Sequence, residues 1–155
     1  MVKEENETSS FVENILIILS NLPTGLRDPI VKNRLNEFLM FDKAEKKEII
    51  QNILKNYDKI NNEAILNLMQ SWLNSLSEMR PDQINSMFYH YLVEISLKPK
   101  FLQNFDAELI NSLSKILISF PQMKKDKLLN CFFEMILNIP NPKMFIKILP
   151  TSLLK

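Results

Sequence analysis

Apolar residues recur along this chain at the spacing of amphipathic helices, and prolines stand between the apolar stripes. In the clearest stripe they lie three and four residues apart from Ile84 to Ile95, which places them on one face of a helix. The same spacing predicts eight helices. They cover residues of about 10–21, 29–40, 45–58, 64–77, 82–95, 107–119, 127–138 and 142–153. Asp28, Asp42 and Asp126 stand at the starts of three of them, where a carboxylate accepts free N–H groups.

Residues 64–95 and 108–139 nearly repeat each other without a gap, and residues 29–60 form a weaker copy. The identical pairs match Asn67, Leu73, Ser75, Met79, Asp82, Phe88 and Ile95 with Asn111, Leu117, Ser119, Met123, Asp126, Phe132 and Ile139. Each copy contains a helix, a short turn and a second helix. The repeat therefore predicts an all-α fold of stacked antiparallel helical hairpins, either a HEAT-like α-α repeat or a compact helical bundle.

This alternation of hairpins resembles the architecture of HEAT-like repeat proteins over most of the chain. The residue signatures of the tetratricopeptide, ankyrin and armadillo families are absent from the sequence. The resemblance therefore implies an architecture, and no functional residue is carried over from these families. We expect a disordered tail at residues 1–9 and a single helical domain at residues 10–155.

Composition narrows the class of protein further. Gly25 is the single glycine, which argues against hairpin-rich sheets and removes Gly-rich phosphate loops. The longest apolar run, residues 15–19, is much shorter than the ~20 residues that a membrane span needs, so no membrane partner is expected. The lone Cys131 and an acidic N-terminus without a secretory signal predict a cytoplasmic location.

Groups suited to catalysis are sparse. His90, the only histidine, lies one turn before Glu94, and two such ligands are too few for a structural zinc site. We interpret the two residues as a solvated pair on one helix, and Cys131 as a small buried hydrophobe. The sequence therefore predicts no catalytic residue, no metal and no cofactor. An enzyme or metal protein centred on His90 is the opposing hypothesis.

The seventh helix carries more apolar surface than one buried face requires. Its predicted core stripe comprises Leu128, Phe132, Met135 and Ile139. A second ridge on another side of the helix comprises Leu129, Phe133 and Leu137. A helix that is apolar on two sides is buried on two sides, so something is expected to cover the second ridge.

Two interpretations of this ridge remain open. In the first, the last apolar segment of the chain covers it. That segment contains Phe145, Ile148, Leu149 and Leu153. In the second, the ridge belongs to a groove or dimer face that binds a partner. Tyr89 and Val93 are then the exposed residues at the matching positions of the earlier copy.

Basic residues concentrate in the C-terminal part of the chain. Residues 1–95 contain ten basic and fourteen acidic residues, whereas residues 96–155 contain nine and four. The candidate polyanion-binding residues are Lys98, Lys100, Lys124, Lys125 and Lys127. Arginine, the preferred reader of phosphates and bases, is absent after Arg80, and the isoelectric point near 7.8 is below that of typical nucleic-acid-binding domains.

These patterns favour a non-enzymatic helical-repeat scaffold. We expect it to mediate protein–protein interaction or self-association, so that its partner is another protein or a second copy of itself. The alternative function is binding of nucleic acid or another polyanion through the lysine-rich C-terminal half.

Overall fold

Helices make up nearly all of the chain that the computed structural model describes, namely residues 13–56, 59–98 and 107–148. The first helix, α1, covers residues 13–21. The others are α2 (Thr24–Met40), α3 (Lys43–Asn56), α4 (Asn62–Ser77), α5 (Pro81–Leu97), α6 (Ala107–Ile118), α7 (Gln122–Ile136) and α8 (Lys143–Ile148). The described ranges contain no strand, so the predicted all-α class with eight helices is confirmed. The predicted tail at residues 1–9 lies outside these ranges.

The helices pack in two layers. Helices α2, α4 and α6 form one series of neighbours, and α3, α5 and α7 form the other. Each helix from α2 to α5 therefore packs against the helix two positions further along the chain, which is the order expected of stacked hairpins. Helix α4 also packs against α7 across the layers, and the whole arrangement is consistent with a compact helical bundle.

Equivalent residues of the two sequence copies meet in this stack. Phe88 on α5 and its match Phe132 on α7 have ring centroids 5.4 Å apart with nearly perpendicular planes. Edge-to-face contacts of this kind add to the energy of apolar burial. Residues at matching positions of the two sequence copies are therefore in direct side-chain contact.

Two of the predicted helix starts are wrong. Helix α2 begins at Thr24 instead of residue 29, so Asp28 and Pro29 lie within its first two turns. Pro29 lacks the N–H that would reach Gly25, a loss of one hydrogen bond near the helix start. Helix α7 begins directly after Pro121, a residue suited to helix starts, and Asp126 therefore lies inside the helix.

The predicted start at Asp42 is confirmed by its hydrogen bond. The backbone N–H of Glu45 donates to Asp42 Oδ1 over 2.8 Å. This bond to the carboxylate lowers the pKa of Asp42. Asp42 therefore stabilises the first turn of α3 as a negatively charged cap.

Candidate functional site

The second ridge lies on the side of α7 that faces away from α5. On the opposite side, Cys131 Sγ lies 3.9 Å from the carbonyl oxygen of Pro81 on α5. Phe133 is two residues further along, which on a helix corresponds to a rotation of about 200°. Leu129 and Phe133 are half-buried, but Leu137 is 75% exposed. The ridge therefore emerges into solvent at the C-terminal end of α7.

A cavity of about 340 Å³ lies between the two helix layers. Side chains from all eight helices line it, and its described lining is apolar or aromatic except for Arg34 and Ser114. Its aromatic part is formed by Trp72, whose ring centroid lies 5.7 Å from that of Phe88 and 5.2 Å from that of Tyr91. Small-molecule pockets have volumes of roughly 300–1,000 Å³ and similar linings, so this cavity has the character of a ligand site.

The cavity is partly open to solvent. Apolar atoms that enter it are removed from water, and each Å² of apolar surface that they bury contributes roughly 25 cal/mol.

The C-terminal helix α8 contributes a side chain to the cavity. Phe145 of α8 is buried and lines the cavity together with Leu129. The side chain of Ile148, and the residues Leu149 and Leu153, lie outside the part of the chain that is described. One residue of the last segment and one residue of the ridge therefore border the same cavity, whereas Leu137, at the other end of the ridge, is exposed.

The predicted partner-binding residues of the earlier copy lie on α5. Tyr89 is 38% exposed, Val93 is half-buried, and Leu97 extends the same stripe with a mostly exposed side chain. The Tyr89 ring contacts His90 at a centroid distance of 5.9 Å, and no ring contact joins it to Phe133. The structure therefore places Tyr89 and Val93 on α5, the helix from which the second ridge faces away, and does not join them to the ridge.

The candidate polyanion-binding lysines differ in their surroundings. Lys98 is exposed, and Lys124 and Lys125 are half-buried on the first turns of α7. Lys127 Nζ donates a hydrogen bond over 3.2 Å to the carbonyl oxygen of Ser77, the last residue of α4. A cation near a helix C-terminus interacts favourably with the negative end of the helix dipole, so Lys127 stabilises α4. Lys100 lies outside the described residues.

The interpretation of His90 and Glu94 as a solvated pair is wrong. Glu94 is only 6% exposed, and its carboxylate accepts a hydrogen bond over 3.0 Å from Gln51 Nε2 on α3. His90 is half-buried, and its pKa is lowered mainly by burial, then by Lys46 and Lys43 on α3, against the opposing effect of Glu94. The two residues therefore belong to the packing of α5 against α3.

The surroundings of Cys131 agree with its interpretation as a small buried hydrophobe. Its side chain is buried against α5. Burial raises the pKa of the thiol, Glu134 raises it further, and Lys127 opposes the change. A thiol with a raised pKa is rarely ionised at neutral pH, and it is a poor nucleophile.

Sequence reasoning missed the cavity and the role of Arg34 in lining it. Apolar spacing identifies residues such as Leu113 as inward-facing, but it does not state how closely the two layers approach. Arg34 lies beside the buried Leu35 on α2, and only the folded arrangement shows that it borders an apolar space.

No family model, curated protein or solved structure matches this chain. Across the described ranges, no helix is both long enough and apolar enough to cross a membrane. Within the same residues, no group of three or more His, Cys, Asp and Glu side chains is arranged to hold a metal ion.

Proposed function

We propose that this chain is a non-enzymatic helical-repeat scaffold that mediates protein–protein interaction or self-association through the second ridge. The observation that carries the proposal is the exposure of Leu137, 75%, on the same stripe as the half-buried Leu129 and Phe133. Burial of a leucine side chain contributes roughly 1.5–3 kcal/mol, so a partner that covers Leu137 gains appreciable energy. Such a contact requires no catalytic group.

The position of α7 in the stack supports this proposal. Helices α3 and α5 each have a long successor in their layer, whereas the described chain after α7 contains only α8, of 6 residues. Among the described helices, α7 makes its main contacts with α5 and α4. The side of α7 that carries the exposed Leu137 therefore supports the proposed contact with a further helix.

The partner surface we propose is an amphipathic helix, from another protein or from a second copy of this chain. From Leu129 to Leu137 the ridge spans about 12 Å, or slightly more than two helical turns. A groove of this kind selects apolar residues at intervals of three and four on the incoming helix. Stable interfaces bury roughly 1,200–2,000 Å², so the contact extends beyond the ridge. Tyr89 and Val93 on α5 stay proposed as a separate partner contact.

Substitution of Leu137 by Asp tests this function. Leu137→Asp places a charge on the ridge without opening the core, whereas Met123→Asp places one at an 85% exposed site on the same helix but away from the ridge. We expect sedimentation and affinity capture to lose the complex in Leu137→Asp and to retain it in Met123→Asp. Equal retention by both variants, with unchanged circular dichroism, contradicts the proposal. Phe133→Asp is the second ridge variant.

Cytoplasmic location is part of the same proposal and is supported by the single, buried Cys131. Polyanion binding stays the alternative, with less support because Lys127 is already bonded to Ser77. Its test is retention of labelled DNA or RNA at low salt, where phosphate contacts are strongest, by the wild type and by a variant with Lys124 and Lys125 changed to Glu.

A further inference from the structure

We propose that the cavity between the helix layers binds a single-chain lipophilic carboxylate, such as a long-chain fatty acid. The hydrocarbon chain lies among the apolar side chains of both layers, and the carboxylate is held by Arg34. This inference goes beyond the proposed scaffold function. The two can fail separately, because Leu137, on which the scaffold test depends, does not line the cavity.

The size of the cavity selects a slender ligand. The volume of the cavity is about 340 Å³. The volume lies at the lower end of the range for small-molecule sites, roughly 300–1,000 Å³. A single hydrocarbon chain suits both this volume and a lining built from leucine, isoleucine and aromatic side chains.

Arg34 supplies the charge that selects the head group. It is the only charged residue in the described lining, and its side chain is 60% exposed. In the proposed complex the guanidinium lies at the solvent-facing edge of the cavity. Its Nη1 donates to Glu37 over 2.6 Å, and a guanidinium has five N–H donors in a planar fork. The remaining donors match the two oxygens of a carboxylate.

Trp72 provides a direct readout of binding. It is the only tryptophan of the chain, and it lines the cavity beside Phe88 and Tyr91. A hydrocarbon chain that enters the cavity changes the surroundings of the indole, so the fluorescence of Trp72 changes on titration. The experiment titrates the full chain with hexadecanoate, hexadecanol and hexadecylamine, with calorimetry as the second measurement.

We expect saturable binding of one hexadecanoate per chain, about tenfold tighter than hexadecanol because of the charged hydrogen bonds. Arg34→Gln should remove that difference, and Lys32→Gln, at an exposed site on the same helix, should retain it. The absence of saturable binding overturns the proposal. Binding of hexadecylamine as tight as that of hexadecanoate overturns the assignment of Arg34.

Filling the cavity from within is the complementary test. Leu113→Phe adds volume at a half-buried lining position on α6, and Ile118→Phe adds the same volume at an exposed position of that helix. We expect the first variant to lose hexadecanoate binding with an unchanged or higher melting temperature, and the second to bind as the wild type does. If Leu113→Phe does not fold, Ile110→Phe tests the same wall of the cavity. Undiminished binding by a folded, filled variant contradicts the proposal.

Discussion

The Nε atom of Arg27 donates a hydrogen bond over 2.7 Å to the Oγ atom of Ser71, which joins α2 to α4 inside the protein. The hydroxyl of Ser71 in turn donates to the carboxylate of Asp28. Arg27 also donates to the carbonyl oxygen of Leu22 over 2.7 Å. Because Arg27 is only 3% exposed, these partners compensate for the burial of its charge.

Arg27→Met is therefore expected to lower the free energy of unfolding by about 2–4 kcal/mol, since it leaves buried partners without their donor. Lys32→Met, on the same helix as Arg27, removes an exposed ion pair with Glu78 at the end of α4, and is expected to cost less than about 1 kcal/mol. Urea unfolding followed by circular dichroism measures both values. Equal losses in the two variants would show that the buried network does not stabilise the fold.

The same network explains why the start of α2 was predicted wrongly. Local sequence presents Asp28 before Pro29 as a helix start, but Asp28 accepts hydrogen bonds from Ser71 and Asn74, more than 40 residues further along the chain. All eight helices were predictable because an apolar stripe depends only on neighbours three and four residues away. The role of a polar residue depends on partners that the stripe does not contain.

Glu94 and the cavity illustrate the same limit at the candidate sites. The sequence pattern predicts a solvated carboxylate at Glu94. In the structure Glu94 is buried, and the hydrogen bond from Gln51 on α3 compensates for the water that its carboxylate loses. The second ridge was predictable from the spacing of its residues, whereas the exposure of Leu137 follows only from the folded arrangement. The width of the space between the layers follows from helix packing distances, which are absent from the sequence pattern.

Substitutions at Leu128 and Leu137 should separate the core of α7 from its ridge. Leu128 is 1% exposed, so Leu128→Ala is expected to lower the free energy of unfolding by about 2–5 kcal/mol. Leu137→Ala changes a largely exposed side chain and should cost at most about 0.5 kcal/mol. Denaturant unfolding at low protein concentration measures both. A large loss for Leu137→Ala would place Leu137 in the core and remove the ridge from consideration as an interface.

Cys131 should react slowly in the folded protein. Its burial hinders access, and its raised pKa keeps the thiol protonated. We expect a disulfide reagent to modify Cys131 at least about tenfold more slowly in buffer than in urea, where the thiol has its ordinary pKa. Equal rates in the two solutions would show that the thiol is open to solvent and reactive.

The stability of the fold should depend on pH through His90. Burial, together with Lys46 and Lys43, lowers the pKa of His90 below its ordinary value of 6.5, and Glu94 only partly opposes this. Protons therefore bind more readily to the unfolded chain than to the folded protein. The free energy of unfolding is highest above the unfolded pKa, and it decreases as the pH falls from there through the lowered folded pKa.

Urea unfolding at about pH 7.5 and about pH 5.5 tests this dependence in a range where carboxylates of ordinary pKa, about 4, remain ionised. The wild type should be less stable at the lower pH, and His90→Gln should lose most of that difference because glutamine does not titrate. Asp42→Asn is the matched control: the pKa of Asp42 is lowered further below this range, so the variant should keep the wild-type dependence. If the stability of His90→Gln changes with pH as much as that of the wild type, another group causes the pH dependence. Protonation of His90 then does not affect the free energy of unfolding in this pH range.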